Sequence, residues 1–207
     1  VRPSADDSHD AIRSYEDYRE FLAADLAAHG LARWNVDAWL RNPQLRYQRV
    51  LRLAEYLRTR RNPAAKVLYA FVRLRLARLS LVSGISIPPG VFGRGLSIAH
   101  YGSIVVNDQV RVGSYCRIHS ATNIGVHGGS APTLGDFVYV GPGAVVYGAA
   151  GIGDRSVIGA NAVVGTSAPQ DSVLVGAPAR VVSRRSSRST MPDWIQALMP
   201  LEQPVEA

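Results

Sequence analysis

From Phe92 onward, one small or branched apolar residue returns at every sixth position. The series runs Phe92, Ile98, Ile104, Val110, Cys116, Thr122, Gly128, Leu134, Val140, Val146, Ile152, Ile158 and Val164, and only Thr122 and Gly128 depart from apolar character. The next position is often glycine, as at Gly93, Gly135, Gly141, Gly153, Gly159 and Gly165, and the fifth is usually small, as at Ala144, Ala150, Ser156 and Ala162. Each six-residue unit supplies one short strand and one corner, and three units close a triangular coil. Stacked coils bury the repeated residue along the axis of a prism. The pattern predicts about four coils over 92–164, with glycine adopting the corner dihedrals.

Upstream of the repeats the spacing is helical. Residues 13–30 place Tyr15, Tyr18, Phe21, Leu22 and Leu26 on one face and stop at Gly30. Asn42-Pro43 opens a helix to about Arg60, with Leu45, Val50, Leu53 and Leu57 available for burial. Asn62-Pro63 breaks it, and a further helix runs over 64–82 to Ser83-Gly84. The chain thus divides into a helical segment at 1–84, the repeat domain at 85–182 and a tail at 183–207. Residues 1–12, SRRSSRST from Ser183 and the end from Glu202 are expected to be loose. Met191–Met199, with Trp194, Ile195 and Leu198, can dock as one short helix.

Apolar residues make up 47% of the chain, enough for a core, yet no run of about 18 apolar residues suggests a membrane span. The opening VRPSADDSHD has no secretory pattern, so a cytoplasmic protein is the simplest expectation. Cys116, the single cysteine, falls on an inward position and excludes an internal disulfide framework. The net charge of +7 is unevenly spread: Arg41 to Ser80 holds eleven Lys or Arg residues and one acid, Glu55. A solvated helix face is the plain reading, and a peripheral membrane contact through the basic helices is the sharper one. No recognition motif or interleaved stacking aromatics accompany the charge, which argues against nucleic acid.

Several stretches resemble the hexapeptide-repeat acyltransferases, in particular serine acetyltransferases and their relatives in polysaccharide and natural-product pathways. The resemblance covers about residues 35–182. It is carried by RNPQ at 41–44, SGISIPPG at 83–90, GRGLSIAHYGSIVVN at 93–107, APTLGDFVYVGPGAVVYG at 131–148 and VGAPARVV at 175–182. It implies a mainly β fold, a left-handed parallel β-helix behind an α-helical N-terminal segment. It also implies acetyl-CoA as co-substrate and a homotrimer or a dimer of trimers. His100 in IAHYG holds the position of the family's general base. A neutral imidazole within reach can take the proton of an alcohol as it attacks a thioester. Three positions depart from the serine enzymes: Ser86 replaces an acid, Ala99 another, and Ala131 a histidine. The resemblance therefore implies acetyl transfer to a small hydroxylated metabolite or a saccharide rather than to L-serine.

The repeat phase puts His119 one coil above His100 at the same corner, where it can orient His100 or contact the acceptor. Tyr101 and Asn107 are further acceptor contacts. His127 lies where the apolar series breaks, which suggests a short protruding loop near the acyl pocket and makes it a further candidate for substrate contact. By position in the family, Gly141, Pro142, Gly159 and Ala160 line the coenzyme A groove, and Arg180 meets its phosphorylated end. The three histidines invite a zinc reading, since γ-class carbonic anhydrases share this fold, but the 119/127 interval does not match their ligand spacing, and no metal is expected. Competing readings are an N-acetyltransferase on an amino sugar and a non-catalytic scaffold or partner subunit.

Overall fold

The computed structural model describes residues 11–200. The expected loose segments at 1–12 and from Glu202 lie outside it apart from Ala11 and Ile12, and Ile12 is buried. Helix α1 (Tyr15–Ala27) starts on a reciprocal cap, in which the Ser14 hydroxyl accepts from Asp17 N and the Asp17 carboxylate accepts from Ser14 N. A short helix α2 (Val36–Arg41) was not legible from spacing. It opens on Asn35, whose side chain accepts from Ala38 N at 2.8 Å. Helices α3 (Pro43–Arg58) and α4 (Pro63–Ser83) each carry proline in the first turn. Gly84, at φ +70°, ends α4 in the left-handed region.

A parallel prism follows. One face stacks β1 (Ile85–Ser86), β3 (Ile104–Val106), β6 (Asn123–Gly125), β9 (Val145–Tyr147) and β12 (Val163–Val164). A second stacks β2 (Ser97–Ile98), β5 (Arg117–Ile118), β8 (Tyr139–Val140), β11 (Val157–Ile158) and β13 (Ser172–Gly176). The third has β4 (Arg111–Val112), β7 (Thr133–Leu134) and β10 (Gly151–Ile152), extended by bridges from Phe92 to Val112 and from Ile152 to Ala168. The prism has five coils, one more than the repeat predicts over 92–164, because Ile85 and Leu174 extend it at both ends. β14 (Ala179–Arg184) then folds back antiparallel on β13.

The inward columns show that the six-residue phase is not constant. Ile98 pairs with Ile118, twenty residues on, and Ile118 with Val140, twenty-two residues on. Two residues are inserted between Ile98 and Ile104, in the corner that carries His100, and four more in the 127–130 loop. Together they make one hexad, so the series re-enters phase at Leu134. Between these insertions Val112, Ile118 and Ile124 are the main inward residues. Val110, Cys116 and Thr122 fill the adjacent small position that Ala144, Ala150, Ser156 and Ala162 fill elsewhere, and all seven are buried. Cys116 is inward as expected. Its Sγ–H donates to Gly135 O at 3.0 Å, and burial raises the thiol pKa.

The glycines that follow the inward residue are there for space rather than dihedrals. A Cβ on Gly141 would lie 2.8 Å from Ala160 N in the next coil. Positive φ instead falls on Tyr115, Phe137 and Arg155, at 55°, 55° and 53°.

The open end of the first coil is closed by polar side chains of α3. Tyr47 Oη donates to Ile87 O and accepts from Ile87 N, both at 2.9 Å, and Gln48 donates to Leu96 O. Arg52, fully buried, donates to Phe92 O at 2.9 Å and Gly93 O at 2.7 Å while pairing with Asp25 of α1 and Glu55. The two carboxylates in turn accept from Leu96 N and Gly90 N. Burial opposes the charge on Arg52, but Asp25 and Glu55 outweigh it and raise its pKa. Glu55, the lone acid of the basic stretch, is thus interior.

The tail is ordered where it was expected to be loose. A 3₁₀ turn (Ser187–Thr190) buries Ser187, whose hydroxyl donates to Phe137 O at 2.6 Å. Helix α5 (Asp193–Gln196) follows, and Met191, Ile195 and Met199 pack on Phe137.

Arg52→Ala leaves two buried carboxylates unpaired and is expected to cost about 3–5 kcal/mol in urea unfolding. The triple change Arg52→Met, Asp25→Asn, Glu55→Gln should cost less than Arg52→Ala alone. Equal losses would show that the charges themselves are not what matters.

Candidate active site

The corner that follows the second face carries the candidate chemistry. Successive coils place Ala99, His119, Gly141, Gly159 and Val175 above one another there. The register is set by Ala99 N donating to Ile118 O, His119 N to Val140 O, Gly141 N to Ile158 O and Gly159 N to Leu174 O, at 2.8–3.1 Å. The next residue along the chain makes a second column of His100, Ser120, Pro142 and Ala160. Arg180 pairs with Val175 across β13 and β14 at the far end of the same edge. One edge therefore carries His100, His119, Gly141, Pro142, Gly159, Ala160 and Arg180. Its length over four coil steps is on the order of 20 Å.

His100 is exposed, with its ring centroid 6.2 Å from that of His119 and the planes at 61°. The two histidines are neighbours as the repeat implied, but through a twenty-residue coil rather than the eighteen of an unbroken phase. His119 is half-buried, and its ring lies 5.1 Å from Tyr139. Its Nε2 is buried without a hydrogen-bond partner among the described residues. Burial, then the positive charge of Arg117 and the neighbouring His100 ring, lowers its pKa to about 4. His119 is thus neutral near pH 7.

Tyr101 is exposed beside His100. Asn107 is not at this corner. It follows β3 at the next one, where its Oδ1 accepts from Gln109 N at 2.9 Å and shapes a turn. His127 is not there either. It opens a tight hairpin closed by mutual backbone bonds with Ser130 around Gly128 and Gly129, both at positive φ, and it packs edge-on against Tyr147 at 5.5 Å. Within one chain these two residues are separate from His100.

Three side chains at this corner had no sequence signal beyond their type. Arg117 lies on the outer surface of β5 and donates to Ser97 Oγ at 2.7 Å. Tyr139 links His119 to the α5 cluster of Met191, Ile195 and Met199. His29, just past α1, lies between Asp25 O at 2.8 Å and Ile98 O at 3.2 Å, and burial lowers its pKa. It ties α1 to the strand that leads into His100.

Residues 131–166 match the family described as bacterial transferase hexapeptide (six repeats). A serine acetyltransferase of Helicobacter pylori is 37% identical over 139 residues, covering 64% of this chain and 77% of that protein. The chain belongs to the serine acetyltransferase-like branch of the hexapeptide-repeat acyltransferases. A serine acetyltransferase of Synechococcus elongatus is 38% identical over 130 residues, or 57% of this chain, which spans only 53% of that longer relative. Among solved structures, a serine acetyltransferase in complex with CoA superposes with a TM-score of 0.67 at 24% identity, over 81% of this chain and 71% of that one. The parallel prism behind a helical segment is the left-handed β-helix architecture of that family.

The depressed pKa of His119 predicts a pH effect on stability. Between about pH 6.5 and pH 4 the unfolded chain protonates this ring and the folded one does not. The unfolded state then binds more protons, so stability falls as pH drops through that window. His119→Gln should flatten the fall in urea midpoint between pH 6.5 and 4, leaving the part due to His29 and the carboxylates. An unchanged slope would mean that His119 titrates as it does in water.

Proposed function

We propose that this corner is the site of an acetyl-CoA-dependent O-acetyltransferase with His100 as general base. The observation that carries the reading is an exposed imidazole at the head of a single prism edge that runs over Gly141, Pro142, Gly159 and Ala160 to Arg180, beside a buried histidine nitrogen with no partner among the described residues. Unsatisfied buried polar atoms are uncommon and call for a partner. An acceptor hydroxyl supplies one.

The chemistry is balanced as follows. His100 removes the hydroxyl proton as the oxygen attacks the thioester carbonyl carbon. A C–O bond forms and a tetrahedral intermediate collapses. The C–S bond breaks, and the departing thiolate takes the proton back from His100. His119 holds the acceptor oxygen without competing for the proton, because it stays neutral. Coenzyme A runs along Gly141, Pro142, Gly159 and Ala160 toward Arg180, whose guanidinium suits a phosphate. The smallness of Gly141 and Gly159 is already demanded by coil packing, so their part in the groove rests on position. A homotrimer would complete the groove between neighbouring prisms. Light scattering giving a multiple of three chains fits this reading, and a monomer that turns over opposes it.

The relatives' name makes L-serine the first acceptor to consider, ahead of the saccharide or metabolite expected from sequence. A second reading, a neutral hydroxylated acceptor, is kept for one observation. The groups that bear electrostatically on His119 are Arg117 and His100, neither of them acidic, and Ser86, exposed on β1, stands where the serine enzymes carry an acid. Among the described residues an amino-acid ammonium finds no carboxylate there. Steady-state rates on L-serine, its neutral analogues and a saccharide panel separate the two readings.

His100→Ala is expected to lower kcat by about 100- to 10,000-fold while coenzyme A affinity stays near the parent value. His119→Ala should raise the acceptor KM with a smaller loss in kcat. A folded His100→Ala protein with nearly full turnover overturns the assignment.

A further inference from the structure

Helix α4 is apolar on two sides. Its inner face buries Ala65, Val72 and Leu76, as a packed helix should. Its outer face is also apolar: Val67, Phe71, Leu74, Leu81 and Val82 are exposed, with Phe71 at 65% and Val82 at 86%. Lys66, Arg73, Arg75 and Arg78 border or interrupt this face. Where α4 passes α2 and α3 it walls a groove of about 530 Å³ with Trp34, Trp39, Arg46, Arg49 and Leu68. Arg46 lies over Trp39 at 5.0 Å, and Arg49 lies over Trp34 at 4.7 Å.

The charge here has one sign. Asp37 is taken by Arg41, and Glu55 is buried against Arg52. Among the described residues Arg46, Arg49, Lys66, Arg73, Arg75 and Arg78 pair with no carboxylate. An exposed apolar face bordered by cations, with tryptophans at its margin, has the composition of an interfacial helix. A second copy of the same face would bring these cations against one another. An anionic lipid surface neutralises them while taking up the apolar residues.

We propose that α4, together with Trp34 and Trp39, docks this protein peripherally on an anionic lipid surface. Docking centres on Phe71, Leu74 and the two tryptophans, with Leu81 and Val82 leading toward the prism corner, and does not depend on acetyl transfer. No helix among the described residues is long and apolar enough to cross a membrane, so attachment is lateral and reversible by salt.

The test is co-sedimentation of the full chain with two vesicle preparations, one of phosphatidylcholine alone and one of phosphatidylcholine with phosphatidylglycerol, with tryptophan emission recorded on the same samples. Binding is expected only to the anionic vesicles, with a blue shift that high salt reverses. Arg75→Gln with Arg78→Gln should weaken binding by about tenfold or more, and Phe71→Glu with Leu74→Glu should abolish the blue shift. Both pairs are exposed, and unchanged circular dichroism shows that each variant folds. Three results overturn the proposal: no sedimentation with anionic vesicles, equal sedimentation with phosphatidylcholine alone, or a Phe71→Glu, Leu74→Glu protein that loses mass in light scattering but still binds vesicles. The last would assign the face to a second copy. Because no arm reads turnover, a failure here leaves the acetyltransferase reading untouched.

Discussion

The buried guanidinium of Arg52 is the interaction on which the placement of everything else rests. A parallel prism begins with a coil whose carbonyls and N–H groups have no coil beneath them, and such an edge is costly to leave bare. Arg52 reaches from α3 to the carbonyls of Phe92 and Gly93, and its two carboxylate partners take the N–H groups of Gly90 and Leu96. One of those partners, Asp25, belongs to α1. A single cation therefore fixes two helices to the first coil. His29 at the end of α1 then meets Ile98 O, two residues before His100. His100 is positioned from the helical segment as much as from the repeats.

Much of this was legible in the sequence, for unequal reasons. The prism was legible because burial repeats with the chain's own period. The slip between Ile98 and Ile104 was not, because its two residues and the four at 127–130 restore the phase and so conceal one another. Thr122 and Gly128 marked the disturbed stretch without revealing its cause. The helices were legible from Asn-Pro pairs and Gly30. The buried polar stripe of α3 was not, since Gln48, Arg52 and Glu55 read as an ordinary solvated face until their partners on the first coil are known. At the site, His100 and His119 were placed together correctly, though through a register the sequence did not show. Asn107 was grouped with them as an acceptor contact and His127 from the break in the apolar series, and neither signal distinguishes one corner of a prism from the next.

The corner separates two roles for similar residues. His100 faces solvent. His119 is half sheltered between Tyr139 and Arg117, and burial keeps it uncharged. Two imidazoles 6.2 Å apart thus differ through surroundings alone. The same edge then continues into glycines that the next coil requires for its own packing. A linear ligand lying there would use a track made by close stacking of the fold.

Trp194 Nε1 donates to Ala28 O at 3.1 Å, joining α5 to the end of α1 across 166 residues of chain. Solenoids are quasi-linear, and their terminal repeats can fray while the middle persists. Here the last helix lies against the second face and is tied to the first one. Release of α1 therefore loosens α5, and release of α5 from the second face loosens α1. The clasp turns an array that could unzip from either tip into a closed loop with no free tip, in which unfolding is shared by the whole molecule.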